Sequence, residues 1–206
     1  NYGDISLGNI TFNGSFENYG TAAVNQDFNI NSSANFKNTG VLNISGSVNN
    51  YSNVSKNGII NVSNRVQNNG SAQFTNGCRL VVSNELINNS TFSNSGSIVV
   101  SAYTTLNSGR FIMNAGGKLE TGNLTANSSI ESDASNCSSI KVSAKTLLNS
   151  SASISGKVEI CDPNGIDQNS LNYTSSCLCQ AHPCNNGVIN LPKTIIPDYV
   201  KPILKP

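Results

Sequence analysis

The residues best equipped for chemistry are crowded late in the chain, in the run Cys177-x-Cys179-x-x-His182-x-Cys184. Three thiolates and an imidazole are a recognised zinc ligand set. The spacing argues against zinc, because fingers and ribbons separate two close ligand pairs by a longer stretch. Six cysteines are an even number, and four of them lie between Cys161 and Cys184. That distribution fits disulfides formed in an oxidising compartment. The disulfide candidates are Cys137, Cys161, Cys177, Cys179 and Cys184.

Catalysis finds little support. His182 is the one histidine, and no serine or aspartate is placed to make a triad with it. A glycosidase needs two carboxylates roughly 5–10 Å apart on one cleft wall. Glu120 and Glu159 share a face, but Lys141 falls between them, which reads as a solvated charge ladder. Glu131-x-Asp133 is a closer pair, with no basic partner in the sequence around it and a turn beside it. Asp162 and Asp167 flank a glycine turn and fall short of a calcium loop. The chain has no glycine-rich phosphate loop. The expectation is a non-enzyme with no catalytic residue, no cofactor and no metal.

Composition narrows the class further. The net charge is +1 and 11% of the 206 residues are charged, which leaves no electrostatic footprint for nucleic acid. Asparagine and serine make up about a third of the chain. So polar a chain raises the question of disorder. Regularly spaced Ile, Val, Leu and Phe answer it. No apolar run approaches the roughly 18 residues that span a bilayer. The chain opens on Asn1 without a signal-peptide pattern and reads as a mature or excised fragment.

The elements that must position any site are set by a repeat. Apolar pairs separated by one residue recur as Leu42/Ile44, Ile60/Val62, Leu80/Val82, Ile98/Val100, Ile140/Val142 and Val158/Ile160, with Leu119/Thr121 filling the gap. Their starts step by 18 to 21 residues, and Ile10/Phe12 and Phe28/Ile30 extend the series backward. A second signal is an apolar residue followed two positions later by Asn and then often Gly or Ser. Phe36-Lys37-Asn38-Thr39-Gly40, Val66-Gln67-Asn68-Asn69-Gly70 and Phe92-Ser93-Asn94-Ser95-Gly96 are examples.

Period-2 alternation in short runs predicts strands, and Asn and Gly suit the corners between them. One coil of about 19 residues cannot bury its inward face, but stacked coils form a continuous core. The reading is an all-β chain: a single-stranded, right-handed parallel β-helix with three strands per coil. Stacking would align the recurrent Asn residues into ladders that satisfy one another's amides. Cys78 then lies about three coils, roughly 14 Å, from Cys137, beyond the bridging limit of about 7 Å. Cys137 and Cys161 fall in neighbouring coils and can pair with each other or with the later cysteines.

Over about residues 10–160 these coils resemble the repeat regions of bacterial surface adhesins of the filamentous-haemagglutinin type, whose coils follow G-x-Φ-x-Φ-S…Φ-x-N-x-G. The Asn- and Ser-rich style followed by a Cys-containing segment also looks like large surface proteins of Bacteroidota. The resemblance implies cell-surface attachment and names no receptor.

The periodicity divides the chain into a solenoid over 1–160, a Cys-rich cap over 161–187 and a Pro-containing tail over 188–206. A cap would cover the unpaired strand edges of the last coil. The tail suits an extended linker or a segment docked along a partner chain. The expected function is a non-enzymatic extracellular adhesion or assembly module. Its partner would be a surface glycan or another surface protein. A carbohydrate-binding or polysaccharide-degrading β-helix is the alternative, with Tyr19, Tyr51 and Tyr103 as ligand contacts near corners. Ice binding would require a uniform outward Thr column, and the outward column between the apolar pairs, from Asn43 to Glu159, is mixed.

Overall fold

Alternating burial sets the local structure. In β1 (Asp4–Leu7), β2 (Ile10–Phe12) and β3 (Ser15–Asn18), apolar side chains point inward on every second residue and polar ones face water. These three strands make one coil, and the pattern repeats up the chain. The computed structural model describes residues 1–114, 116–133 and 137–174. Among them are 23 strands, no α-helix, and no helix long and apolar enough to cross a membrane. Each strand pairs in parallel with its counterpart in the next coil, giving a solenoid of about eight turns.

The three strands of a coil define three faces. The third face is an eight-stranded sheet beginning at β3, and a 15-stranded sheet wraps the first and second faces. First-face register runs Leu42 to Ile60 to Leu80 to Ile98 to Leu119 to Ile140. That is the series predicted from the apolar pairs. In Ser97–Leu106, Lys118–Ala126 and Ser138–Leu148 the first two strands of the coil fuse into one. Corners such as Ser63-Asn64 and Ser83-Asn84 give way there to Ser101-Ala102 and Ser143-Ala144. Alanine lacks asparagine's tolerance for turn geometry, so the strand continues through the bend.

The core is one contiguous column of aliphatic residues with an aromatic stack along the third face. Phe74 and Phe92 stack with centroids 4.7 Å apart, and Phe111 follows at 5.4 Å. Each such pair is worth about 0.5–1.5 kcal/mol beyond its area burial. Buried Thr104 donates to Thr121 at 3.0 Å, and Thr121 donates to the Asn123 carbonyl at 3.0 Å, so both buried hydroxyls are satisfied.

Two asparagine ladders run inside the stack. After the third face, Asn18 Nδ2 donates to Asn38 Oδ1 at 2.7 Å, and Asn76 Nδ2 to Asn94 Oδ1 at 2.6 Å. After the second face, Asn50 donates to Asn68 at 2.8 Å and Asn68 to Asn88 at 3.0 Å. The remaining amide hydrogens go to backbone carbonyls of the following coil, Val41 from Asn18 and Thr91 from Asn68. The corner at Gly58 is too tight for a side chain: a Cβ there would stand 2.1 Å from the Gly40 carbonyl oxygen.

The two ends differ. At the first coil Ile5, Ile10, Phe12 and Phe16 are only partly buried. At the other end Gln168 and Asn169 pair with Leu147 and Leu148, so the stack continues past Ile160. Ile166, Leu171 and Tyr173 pack against the core. The Tyr173 hydroxyl donates to the Val158 carbonyl and accepts the Ile160 N–H at 3.3 Å, occupying an edge where another strand would bond.

Register corrects two expectations. Ser138 pairs with Val158, Ser139 with Glu159 and Lys141 with Cys161. Glu159 therefore belongs to the column of Lys118 and Ser139, not to that of Glu120 and Lys141. Ser138 is an inward, fully buried position, and stacking Val158 on it shifts the last coil by two residues. By the same register Cys161 lies four residues along from Cys137, roughly 13 Å, beyond the bridging limit of about 7 Å. Those two cysteines are not a pair. Cys177, Cys179, His182 and Cys184, with the 188–206 tail, lie outside the described residues.

Candidate functional site

The outer surface carries its own asparagine ladder. At the corner between the second and third faces, Asn89 Nδ2 donates to Asn69 Oδ1 at 3.0 Å and Asn107 to Asn89 at 3.1 Å. Asn127 and Asn149 continue the series, and Asn31 donates to Asn13 at its start. These outer amides all donate toward the N-terminal end, opposite to the inner ladders. The inner orientation is dictated by the backbone carbonyls that take the second amide hydrogen.

Tyr51 interrupts this outer ladder. Ile30 and Asn68 flank Asn50 in register, so Tyr51 stands between Asn31 and Asn69. Its ring is 48% exposed. The Nδ2 of Asn69, which elsewhere would meet an amide oxygen, is buried without a hydrogen-bond partner.

The other predicted tyrosines lie elsewhere. Tyr103 starts a second-face segment and is 54% exposed. Tyr19 sits at the corner between the third and first faces and is half-buried, because the Tyr2 ring stacks on it at 4.8 Å. The Tyr19 hydroxyl donates to Glu17, and that bond raises its pKa. Tyr2 is the most exposed aromatic of the described residues, and its single position ahead of the first clear repeat gave no signal in the sequence. The three candidates occupy three different corners, and the fold does not gather them into one site.

The carboxylates are largely engaged. Glu131, expected to lack a basic partner, accepts two bonds from Arg110 Nε at 3.0 and 3.1 Å, and a third from Nη2. Arg110 and Glu131 are 21 residues apart but adjacent across coils, which sequence proximity could not show. The guanidinium holds the Glu131 carboxyl below its ordinary range. Glu120 pairs with Lys118, and Glu17 with Lys37. Asp162 and Asp167 both serve Thr146, the first accepting its hydroxyl at 2.6 Å and the second its N–H at 2.9 Å.

A surface depression lies at the bend between the first and second faces, a groove of about 260 Å³ lined by Val99, Ser101, Glu120, Gly122, Lys141 and Ser143. Its origin is a difference in corner length. Thr121 and Asn123 leave Gly122 alone at the corner, opposite Ser101-Ala102 on one side and Ser143-Ala144 on the other. The middle coil is one residue short and is drawn inward. Only glycine fits, since a Cβ there would meet the Ala102 and Ser101 carbonyl oxygens at 2.6 and 2.8 Å.

No family model matches the chain, and neither a curated protein nor a solved structure matches it.

Proposed function

We propose that this solenoid is a non-enzymatic adhesion or assembly module of an extracellular or cell-surface protein, binding a surface glycan or another surface protein. The observation that carries the reading is Tyr51. An exposed aromatic displaces asparagine from an otherwise regular outer ladder and leaves the Asn69 amide unsatisfied. A local rule broken at a solvent-facing position is what a contact residue looks like. The stacked core and inner ladders support it by holding outward side chains at a fixed rung of roughly 4.8 Å, the geometry for multivalent contact. The engagement of Glu17, Glu120 and Glu131 by basic partners supports a non-catalytic role.

The same reading includes a disulfide-bearing C-terminal cap and descent from adhesin-type repeats. The test is a pull-down of the purified protein against insoluble polysaccharides and whole cells, with released sugar assayed in the supernatant. Binding that weakens in Tyr51→Asn, without sugar release, is expected. Release of oligosaccharides overturns the non-enzymatic reading. Failure to bind any surface overturns adhesion.

A further inference from the structure

We propose that the notch at Gly122 is a binding site for an acidic saccharide, one carboxylate- or sulfate-bearing ring of a longer polysaccharide. The proposal rests on the adhesion reading and adds a ligand class and a location to it.

The floor of the notch is small and hydroxylated, with Ser101 and Ser143 at either side of the shortened corner. One wall is the first-face column Val99, Glu120, Lys141, and three or four residues along the same strands lies the second-face column Tyr103, Asn123, Lys145. Glu120 is taken up by Lys118. Lys141 and Lys145 are exposed and have no carboxylate partner among the described residues. Glu85 is one rung beyond Tyr103, at the end away from both lysines. The nearest carboxylates at the lysine end, Asp162 and Asp167, are hydrogen-bonded to Thr146, so the notch offers two ammonium groups that are not ion-paired among the described residues.

Those groups match one ligand chemistry. Two ammonium groups favour a carboxylate or sulfate. Serine hydroxyls both donate and accept, as ring hydroxyls require. An exposed tyrosine ring offers a flat apolar face with a polar tip, suited to a sugar ring's C–H face. Tyr103 and Lys145 stand two rungs apart, roughly 10 Å, so one ring can lie on the tyrosine while its acidic neighbour reaches the lysines.

The experiment is titration calorimetry of the full chain with oligogalacturonate, a sulfated glycosaminoglycan oligosaccharide, a neutral xylo-oligosaccharide and a short DNA duplex. Binding of one or both acidic saccharides, weakening with salt, is expected. It should fall at least tenfold in Lys141→Ala/Lys145→Ala and in Tyr103→Ala. Replacing Gly122 by Ser-Ala, the pair at the neighbouring corners, should fill the notch and abolish binding while circular dichroism stays unchanged. Comparable binding of DNA overturns the saccharide assignment, and preference for the neutral sugar overturns the role of the lysines. If no oligosaccharide binds yet the protein still adheres to cells, this site is wrong and the adhesion reading stands.

Discussion

Lys56 Nζ donates to Asn76 Oδ1, filling with an amine a rung that asparagine fills elsewhere in the inner ladder. The side chain is fully buried, and Nζ also donates to the carbonyls of Gly58 at 3.0 Å and Arg79 at 2.7 Å. Lys56→Ala removes donors from these buried acceptors and is expected to cost about 3 kcal/mol. Lys56→Asn restores the amide rung and should retain most of that stability. Urea unfolding distinguishes them, and equal midpoints for the two variants would refute the ladder role.

Tyr51→Asn completes the outer ladder and gives Asn69 Nδ2 an acceptor. A gain of about 1 kcal/mol is expected from satisfying that amide. A loss of stability in thermal unfolding would mean that the exposed ring contributes packing the ladder view omits.

Phe92 sits between Phe74 and Phe111 with no exposed surface. Truncation to alanine interrupts the stack in mid-rod and should destabilise by about 3–5 kcal/mol. Phe16, only partly buried in the first coil, should cost clearly less when truncated. Parallel denaturant titrations test the ranking, and equal losses would contradict it.

Acid should weaken the third face through Glu131. Arg110 lowers its folded pKa from the ordinary 4.5, so the unfolded chain binds the proton more readily. The stabilisation is complete above about pH 4.5 and is lost as pH falls through the folded value. Melting temperatures measured from pH 6 to 3 should fall less steeply in Glu131→Gln. Identical slopes would show that the exposed pair contributes nothing measurable.

Register forbids a Cys137–Cys161 bridge. Non-reducing peptide mapping is expected to join each to one of Cys177, Cys179 or Cys184. A peptide linking Cys137 directly to Cys161 would contradict the pairing of Ser138 with Val158.

Much of the rod was readable before any coordinates. Leu42/Ile44 through Ile140/Val142 alternate with period two and recur once per coil, and both periods are properties of the chain itself. The inner ladder was anticipated, but not which asparagine belongs to it. Asn68 and Asn69 are neighbours of one type, yet the first is buried among its counterparts and the second faces outward. Strand parity separates them, and parity is fixed only when the coil closes.

The candidate sites depend still more on closure. Arg110 meets Glu131, and Glu159 leaves the column of Glu120, because coils differ in length and the register between them is set only when they stack. The notch at Gly122 exists because one corner is a residue shorter than those above and below it. Local alternation was enough to specify strands, turns and the repeat. Which side chains meet across coils was left to tertiary stacking, since a parallel ladder joins residues some twenty positions apart and an insertion of one residue moves every outward neighbour.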